Sequence, residues 1–188
     1  RLNIPLGTAD YTPFASEIVG ADANWTFVFA PEIATVALFE AAQKLGWKGK
    51  FLGAFVVTLE EALPRLKAEN LLGFQPVASF AEDLPEHKRI REAAAKYGAP
   101  FPPGRLAMGW LGAMVVEKAL RACGWPCDRA KLRSAMENLE VDTRGLTGGL
   151  YKWTPTNHHG TLYYKIYGWD GAAGRIKAIS DWIAIKAE

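Results

Sequence analysis

A chain of 188 residues that is 49% hydrophobic and 22% charged can bury a real core, and intrinsic disorder is excluded by composition. Its 22 basic and 20 acidic residues are interleaved and leave a net charge of only +2, so no basic face marks DNA or RNA as a partner and nucleic acid is not expected. The longest uncharged apolar stretch, 106–116, is too short to span a bilayer and runs on into Glu117, Lys118 and Arg121, which reads as a buried helix. The first residue is Arg1 rather than methionine and no signal-like stretch follows, so a processed product or a piece of a longer protein is expected.

In chain order, residues 2–6 read as a short strand that Pro5 weakens. Thr12 as N-cap and Pro13 at N1 then start a helix through Val19. The segment 25–53, WTFVFAPEIATVALFEAAQKLGWKGKFLG, reads as a complete βαβ unit. Residues 25–30 form a continuous apolar run with β-branched and aromatic members, expected as a strand covered on both faces. Pro31 fits the first helical position. Ala34, Ala37, Leu38, Ala41, Ala42 and Leu45 recur at helical spacing, with Glu40, Gln43 and Lys44 outward, and Gly46 ends the helix. Residues 51–54 supply the second strand. A crossover of this length implies a parallel pair, and open parallel sheets bind ligands beyond the carboxyl ends of their strands.

Thr58-Leu-Glu-Glu61 has the capping-box pattern and opens a helix that Pro64 interrupts or ends. Residues 74–80 read as a strand, pushed towards a sheet edge by Pro76. Asp83-Leu-Pro-Glu86 starts a helix running to Tyr97 and stopped by Gly98, with His87 read as one of the solvated residues beside Glu86, Lys88 and Arg89. This alternation of strands and helices is the pattern of an α/β doubly wound sheet.

The second half changes character. Residues 99–104, APFPPG, read as a rigid connector without helix potential, followed by a helix over 107–121 that is apolar on most faces. Asp128 caps another helix to Leu139. Residues 150–153, 161–167 and 176–185 read as strands, the last two joined across Asp170-Gly171 and Gly174. The helical hairpin has no sheet of its own to cover, so neither half looks complete. Cys123 and Cys127 flank Gly-Trp-Pro at a helix end. Their spacing excludes a thioredoxin-like motif, and two thiols cannot close a zinc site. A local disulfide, which needs an oxidising compartment, and a pair of inert thiols both remain open. The run GLTGG at 145–149 lacks the phosphate-loop spacings and reads as a turn.

The order of these motifs resembles the C-terminal portion of type I periplasmic binding proteins, in particular the branched-chain amino-acid (Leu/Ile/Val-binding) type of ABC-transporter solute-binding protein. The resembling elements are Asp10-Tyr-Thr-Pro-Phe, the 25–53 unit, and Lys118-Ala-Leu-Arg-Ala-Cys-Gly124. Asp128-Arg-Ala-Lys-Leu132, Arg144-Gly-Leu-Thr-Gly148 and Asn157-His-His159 follow. The resemblance implies that 1–98 is an incomplete Rossmann-like C-terminal lobe and that 99–149 is a crossover connector plus a helical hairpin of the other lobe. It implies that 150–188 holds C-terminal strands near the hinge, and that the first part of the protein lies outside this chain.

What the resemblance implies about function is binding without catalysis. Two lobes close on a small solute, an amino acid or an aromatic or aliphatic carboxylate, and a membrane permease recognises the closed form. The protein is then expected to be periplasmic or extracellular, lipid-anchored in a Gram-positive host, with no metal, nucleotide or other cofactor. The alternative is the ligand-sensing domain of a receptor or regulator, since one fold serves both. A third class, a hydrolase or transferase using His158 or His159, lacks a nucleophile and base that can be paired from sequence.

By position in the family, solute contacts are expected from Pro31 and Glu32, from Phe55, and from Arg105. Free amides after Ala30 suit a carboxylate, whereas Glu32 suits a cationic group or simply complements its own helix dipole. Phe55 stands where amino-acid-binding members usually place an acidic residue, which favours an aromatic or aliphatic carboxylate; as simple core it needs no function. Arg105 offers a guanidinium fork for a carboxylate, or is an ordinary exposed arginine. His158 and His159 point to opposite faces of an extended segment and make a poor chelating pair, so a structural role near the hinge is expected.

Overall fold

The computed structural model describes residues 1–54, 59–101, 103–160 and 162–185. The chain divides into two compact units, Arg1–Gln75 with Ile166–Ile179, and Pro76–Lys165 with Ser180 onward. The first break falls at Gln75–Pro76, ahead of the 98/99 boundary expected from the proline-rich connector, because the helix that precedes the connector packs on the one that follows it.

In the first unit the elements are α1 (Thr12–Gly20), β1 (Trp25–Val28), α2 (Glu32–Lys44), β2 (Lys50–Gly53), α3 (Leu59–Leu66) and β3 (Leu71–Gln75). The carboxyl half of β6 (Leu162–Asp170) and β7 (Arg175–Ala178) complete it, and the sheet order is β1-β2-β3-β6-β7. β1 and β2 pair parallel, as do β2 and β3, with Val28 opposite Gly53 and Gly53 opposite Gly73, so these three strands end at one edge. β6 and β7 form an antiparallel hairpin, whose turn is held by the Ala173 amide donating to the Asp170 carboxylate at 3.0 Å and by Gly174 at φ +62°.

The core of this unit centres on Phe51, fully buried, with Phe39 and Trp47 edge-on at 5.3 and 5.0 Å. Leu63, Leu71 and Tyr167 are equally buried. On α2 the buried residues include Thr35, Val36 and Phe39 as well as Leu38 and Ala42, so the inward stripe is turned from the one expected, and Ala34, Ala37 and Ala41 are only half-buried. Gly46, at φ +83°, follows the helix as expected.

Several elements differ from expectation. Residues 2–6 are not a strand: the Pro5 carbonyl accepts from Thr8 in a turn, and Leu6 is exposed. Tyr11, not Thr12, is the N-cap of α1, and the Thr12 amide donates to the Asp10 carboxylate at 2.9 Å. β1 is an edge strand ending at Val28, with Trp25 and Phe27 exposed, so it is not covered on both faces within this unit. The strand expected over 74–80 instead occupies Leu71–Gln75 in the sheet interior and stops before Pro76, which cannot donate to a ladder. α3 runs through Pro64 to Leu66, and its expected cap, Thr58, lies outside the described residues.

The second unit holds α4 (Pro85–Tyr97), α5 (Pro103–Cys123), α6 (Arg129–Met136) and the two-stranded hairpin β4 (Glu140–Val141) and β5 (Tyr151–Lys152). β8 (Ile183–Ile185) pairs antiparallel with Leu162 to Tyr164 of β6, so the single strand expected over 176–185 is two. Pro103 and Gly104 belong to α5 and not to the connector, since proline in a first helical turn loses no hydrogen bond. Asp128 caps α6 through its carboxylate, which accepts from the Lys131 amide at 2.8 Å. The core here gathers Val77, Ile90, Ala107, Leu111, Leu139, Val141 and Leu146. The 143–149 turn is tightly packed: Thr143 and Thr147 are buried and joined at 2.9 Å between hydroxyls, and Arg144 and Gly145 have φ of +54° and +85°.

Glu86 and His87, expected on a solvated face, are buried at 3% and 0% exposure. The Glu86 carboxylate accepts from Trp110 Nε1 at 2.8 Å and from Arg89 Nη1 at 3.0 Å, and Arg144 Nη1 approaches at 3.4 Å. His87 Nδ1 accepts from the Leu84 amide, and Nε2, 3.2 Å from the Ala78 carbonyl, donates to it, which fixes the neutral tautomer. α4 turns its Glu86-His87-Ile90 side inward because partners from α5 and the 143–149 turn satisfy the carboxylate there.

Candidate solute-binding site

The carboxyl edge of the parallel strands in the first unit is built from three chain ends. β1 ends at Val28 and leads through Phe29 and Ala30 to Pro31, the N-cap of α2, and Glu32, its first residue. Thr35, fully buried, fastens this turn: its amide donates to the Pro31 carbonyl at 2.9 Å and its hydroxyl to the Ala30 carbonyl at 3.2 Å. Amides in the first turn of α2 have no preceding helical carbonyl to bond, and the helix dipole makes this end favourable for an anion. β2 ends beside it, the Ala54 amide donating to the Val28 carbonyl at 3.0 Å. Phe55, the next residue, lies outside the described residues.

β3 contributes Gln75, its last residue, only 6% exposed. The Gln75 side-chain Nε2 is buried and has no acceptor among the described residues. A buried unmet amide donor costs about 1–3 kcal/mol, so it marks a place where an acceptor is wanted. Gln75 is not among the residues expected from sequence; its one signal there is a lone amide closing the apolar run Leu71-Leu-Gly-Phe74 ahead of a proline.

Of the residues expected to meet solute, Pro31 and Glu32 therefore lie on this edge, and the segment carrying Phe55 starts from it. Arg105 belongs to the second unit, in the first turn of α5. Its side chain is exposed, makes no hydrogen bond or ion pair among the described residues, and lines a groove of about 540 Å³ between α4 and α5 with Tyr97, Phe101 and Trp110.

His158 and His159 belong to the second unit. His158 Nε2 sits 3.2 Å from Glu137 Oε1, whose carboxylate also accepts from Arg133 Nε at 2.8 Å. The Arg133 hydrogen bond holds the Glu137 carboxyl below its ordinary value, against the opposing effect of burial. The described residues hold no cluster of three or more His, Cys, Asp or Glu able to ligate a metal ion. Cys123 and Cys127 form a disulfide, with Cα atoms 5.5 Å apart. No helix among the described residues is long and apolar enough to cross a membrane.

Residues 2–175 match the family model described as periplasmic binding protein. The chain is 31% identical over 155 residues to Leu/Ile/Val-binding protein homolog 6 of Brucella suis biovar 1, covering 77% of this chain and 39% of that relative. Among solved structures it is similar to a branched-chain amino-acid ABC transporter protein from Thermus thermophilus with bound valine, at TM-score 0.78 and 20% identity over 97% of this chain and 51% of that one. A solute-binding protein from R. palustris in complex with 4-hydroxybenzoate is similar at TM-score 0.75 and 23% identity, over 98% and 51%. The match thus covers 39% of the Brucella relative and about half of each structure. On the family match over nearly its whole length, the chain belongs to the periplasmic binding protein family, as the order of its motifs implied.

Proposed function

We propose that the protein carrying this chain is the extracytoplasmic solute-binding component of an ABC uptake system, delivering a small carboxylate or amino-acid-like solute to a membrane permease without catalysing a reaction. The observation that carries this reading is the carboxyl edge of β1, β2 and β3, where the start of α2 and the unmet Gln75 amide offer donors to an anion. The family match supports the solute-binding role. Similar proteins are described with valine and with 4-hydroxybenzoate, both compact apolar bodies bearing a carboxylate.

In this reading the first-turn amides of α2, placed by Pro31, take the solute carboxylate, and Gln75 Nε2 donates to an oxygen beside it. Phe55 packs on the apolar body, in place of the acid that would pair with an ammonium group. Glu32 supplies the only carboxylate of the β1–α2 turn, so an amino group on the solute would be held there. Arg105 is a separate carboxylate anchor in the second unit. The solute shifts a hinge equilibrium towards the form the permease recognises.

Calorimetry with the solute found to copurify tests the placement. Phe55→Ala and Gln75→Ala each lower affinity about tenfold, the worth of one good contact of about 1.4 kcal/mol. Unchanged affinity in both variants puts the site elsewhere.

A further inference from the structure

Between α5 and α6 the chain makes the short loop Cys123-Gly-Trp-Pro-Cys127, and its indole is the most exposed large apolar side chain among the described residues. Trp125 is 95% exposed, whereas Trp47 and Trp169 are buried at 6% and 8%. It has no ring, hydrogen-bond or cation partner among the described residues. The loop that carries it is tied down at several points. The disulfide joins its two ends, and the Gly124 amide donates to the Leu120 carbonyl at 3.1 Å. Lys131 Nζ donates to the Pro126 carbonyl at 3.1 Å, and Asp128 caps the helix that follows. An indole held out on a fastened loop loses little further freedom when it meets a partner.

The rim of this tip is basic. From 117 to 131 it carries Lys118, Arg121, Arg129 and Lys131 against Glu117 and Asp128 alone. Both acids are already engaged, Glu117 by Arg121 at 2.7 Å and Asp128 by the Lys131 amide. Lys118 and Arg129 have no carboxylate partner among the described residues. One indole presents roughly 150–250 Å², far below the ~800 Å² per partner of a stable protein interface. A lipid surface asks for no such area: an indole seats at headgroup depth with its N–H wet, and lysine and arginine meet anionic phosphates.

We infer that the Cys123–Cys127 loop is a contact with an anionic membrane surface, in which Trp125 enters the headgroup region and Lys118, Arg129 and Lys131 lie on lipid phosphates. The contact is weak and reversible, and it is independent of the solute site.

The test is co-sedimentation of the oxidised protein with vesicles of phosphatidylcholine containing phosphatidylglycerol, and with phosphatidylcholine alone. Binding is expected to the anionic vesicles only and to fall steeply as salt rises. Trp125→Ala lowers partitioning about tenfold and the Lys118→Glu, Arg129→Glu pair by at least as much, each with an unchanged circular dichroism spectrum, while Lys48→Glu in the first unit changes it little. No sedimentation with anionic vesicles overturns the inference, as does equal partitioning of Trp125→Ala, or a loss in Lys48→Glu as large as in the loop variants. Capture of a protein by the loop without any vesicle binding also overturns it.

Discussion

Glu86 is the residue whose loss should damage the second unit most for its size. Its carboxylate is 3% exposed and joins α4, α5 and the 143–149 turn through Trp110, Arg89 and Arg144. In Glu86→Ala the indole N–H loses a charge-assisted bond worth about 1.5–3 kcal/mol. The two arginines are half exposed, 52% and 54%, so water replaces most of what they gave, and each pair adds no more than about 0.5 kcal/mol. The sum is about 3 kcal/mol. Urea unfolding followed by far-UV circular dichroism measures it as a lower midpoint at unchanged slope. A double-mutant cycle with Trp110→Phe isolates the indole bond, and a coupling of about 1–2 kcal/mol is expected. A coupling near zero, with Glu86→Ala costing under about 0.5 kcal/mol, would refute the idea that this carboxylate holds three elements together.

Acid should weaken the fold through a small set of carboxylates. Glu137 is held below its ordinary value chiefly by the Arg133 hydrogen bond, Asp170 by the Ala173 amide and then Lys177, and Asp10 by Thr12. The folded state therefore binds fewer protons than the unfolded chain just below their usual range, so their contribution is complete above about pH 5 and is lost as pH falls through about 4 and lower. Thermal midpoints against pH check this, with a shallower fall in Glu137→Gln; a loss that begins near neutrality contradicts it. Replacing Cys123 and Cys127 by serine removes a short closed loop worth about 2 kcal/mol of unfolded-state entropy. A free-thiol assay on unreduced protein should read none, and two titratable thiols would place the chain in a reducing compartment.

The first unit was legible where periodicity and terminators coincide. Pro31, the apolar helix and Gly46 bracket α2, and the crossover length fixes β1 and β2 as parallel. Pattern alone could not see that β1 is an edge, since a continuous apolar run reads the same whether or not a neighbour covers it. Charge misled at Glu86-His87-Lys88-Arg89, because burial of Glu86 depends on Trp110 and Arg144, distant in sequence, and His87 is enclosed by the Leu84 amide, the Ala78 carbonyl and the stacked Phe80 ring. β4 was missed because two-residue strands carry no period. At the candidate site the βαβ unit marked the strand edge and the family resemblance pointed to Pro31 and Glu32 on it, whereas Gln75 emerges only from burial. The disulfide was an open alternative from spacing, and the structure brings Cys123 and Cys127 together as a bonded pair.

The most direct measurement is mass spectrometry of small molecules released on denaturing the full-length protein that carries this chain, purified without added ligand. A small carboxylate with an aromatic or aliphatic body is expected, and it also raises the thermal midpoint when added back. A nucleotide or a metal ion as the sole copurifying species, with no carboxylate shifting the midpoint, would contradict it.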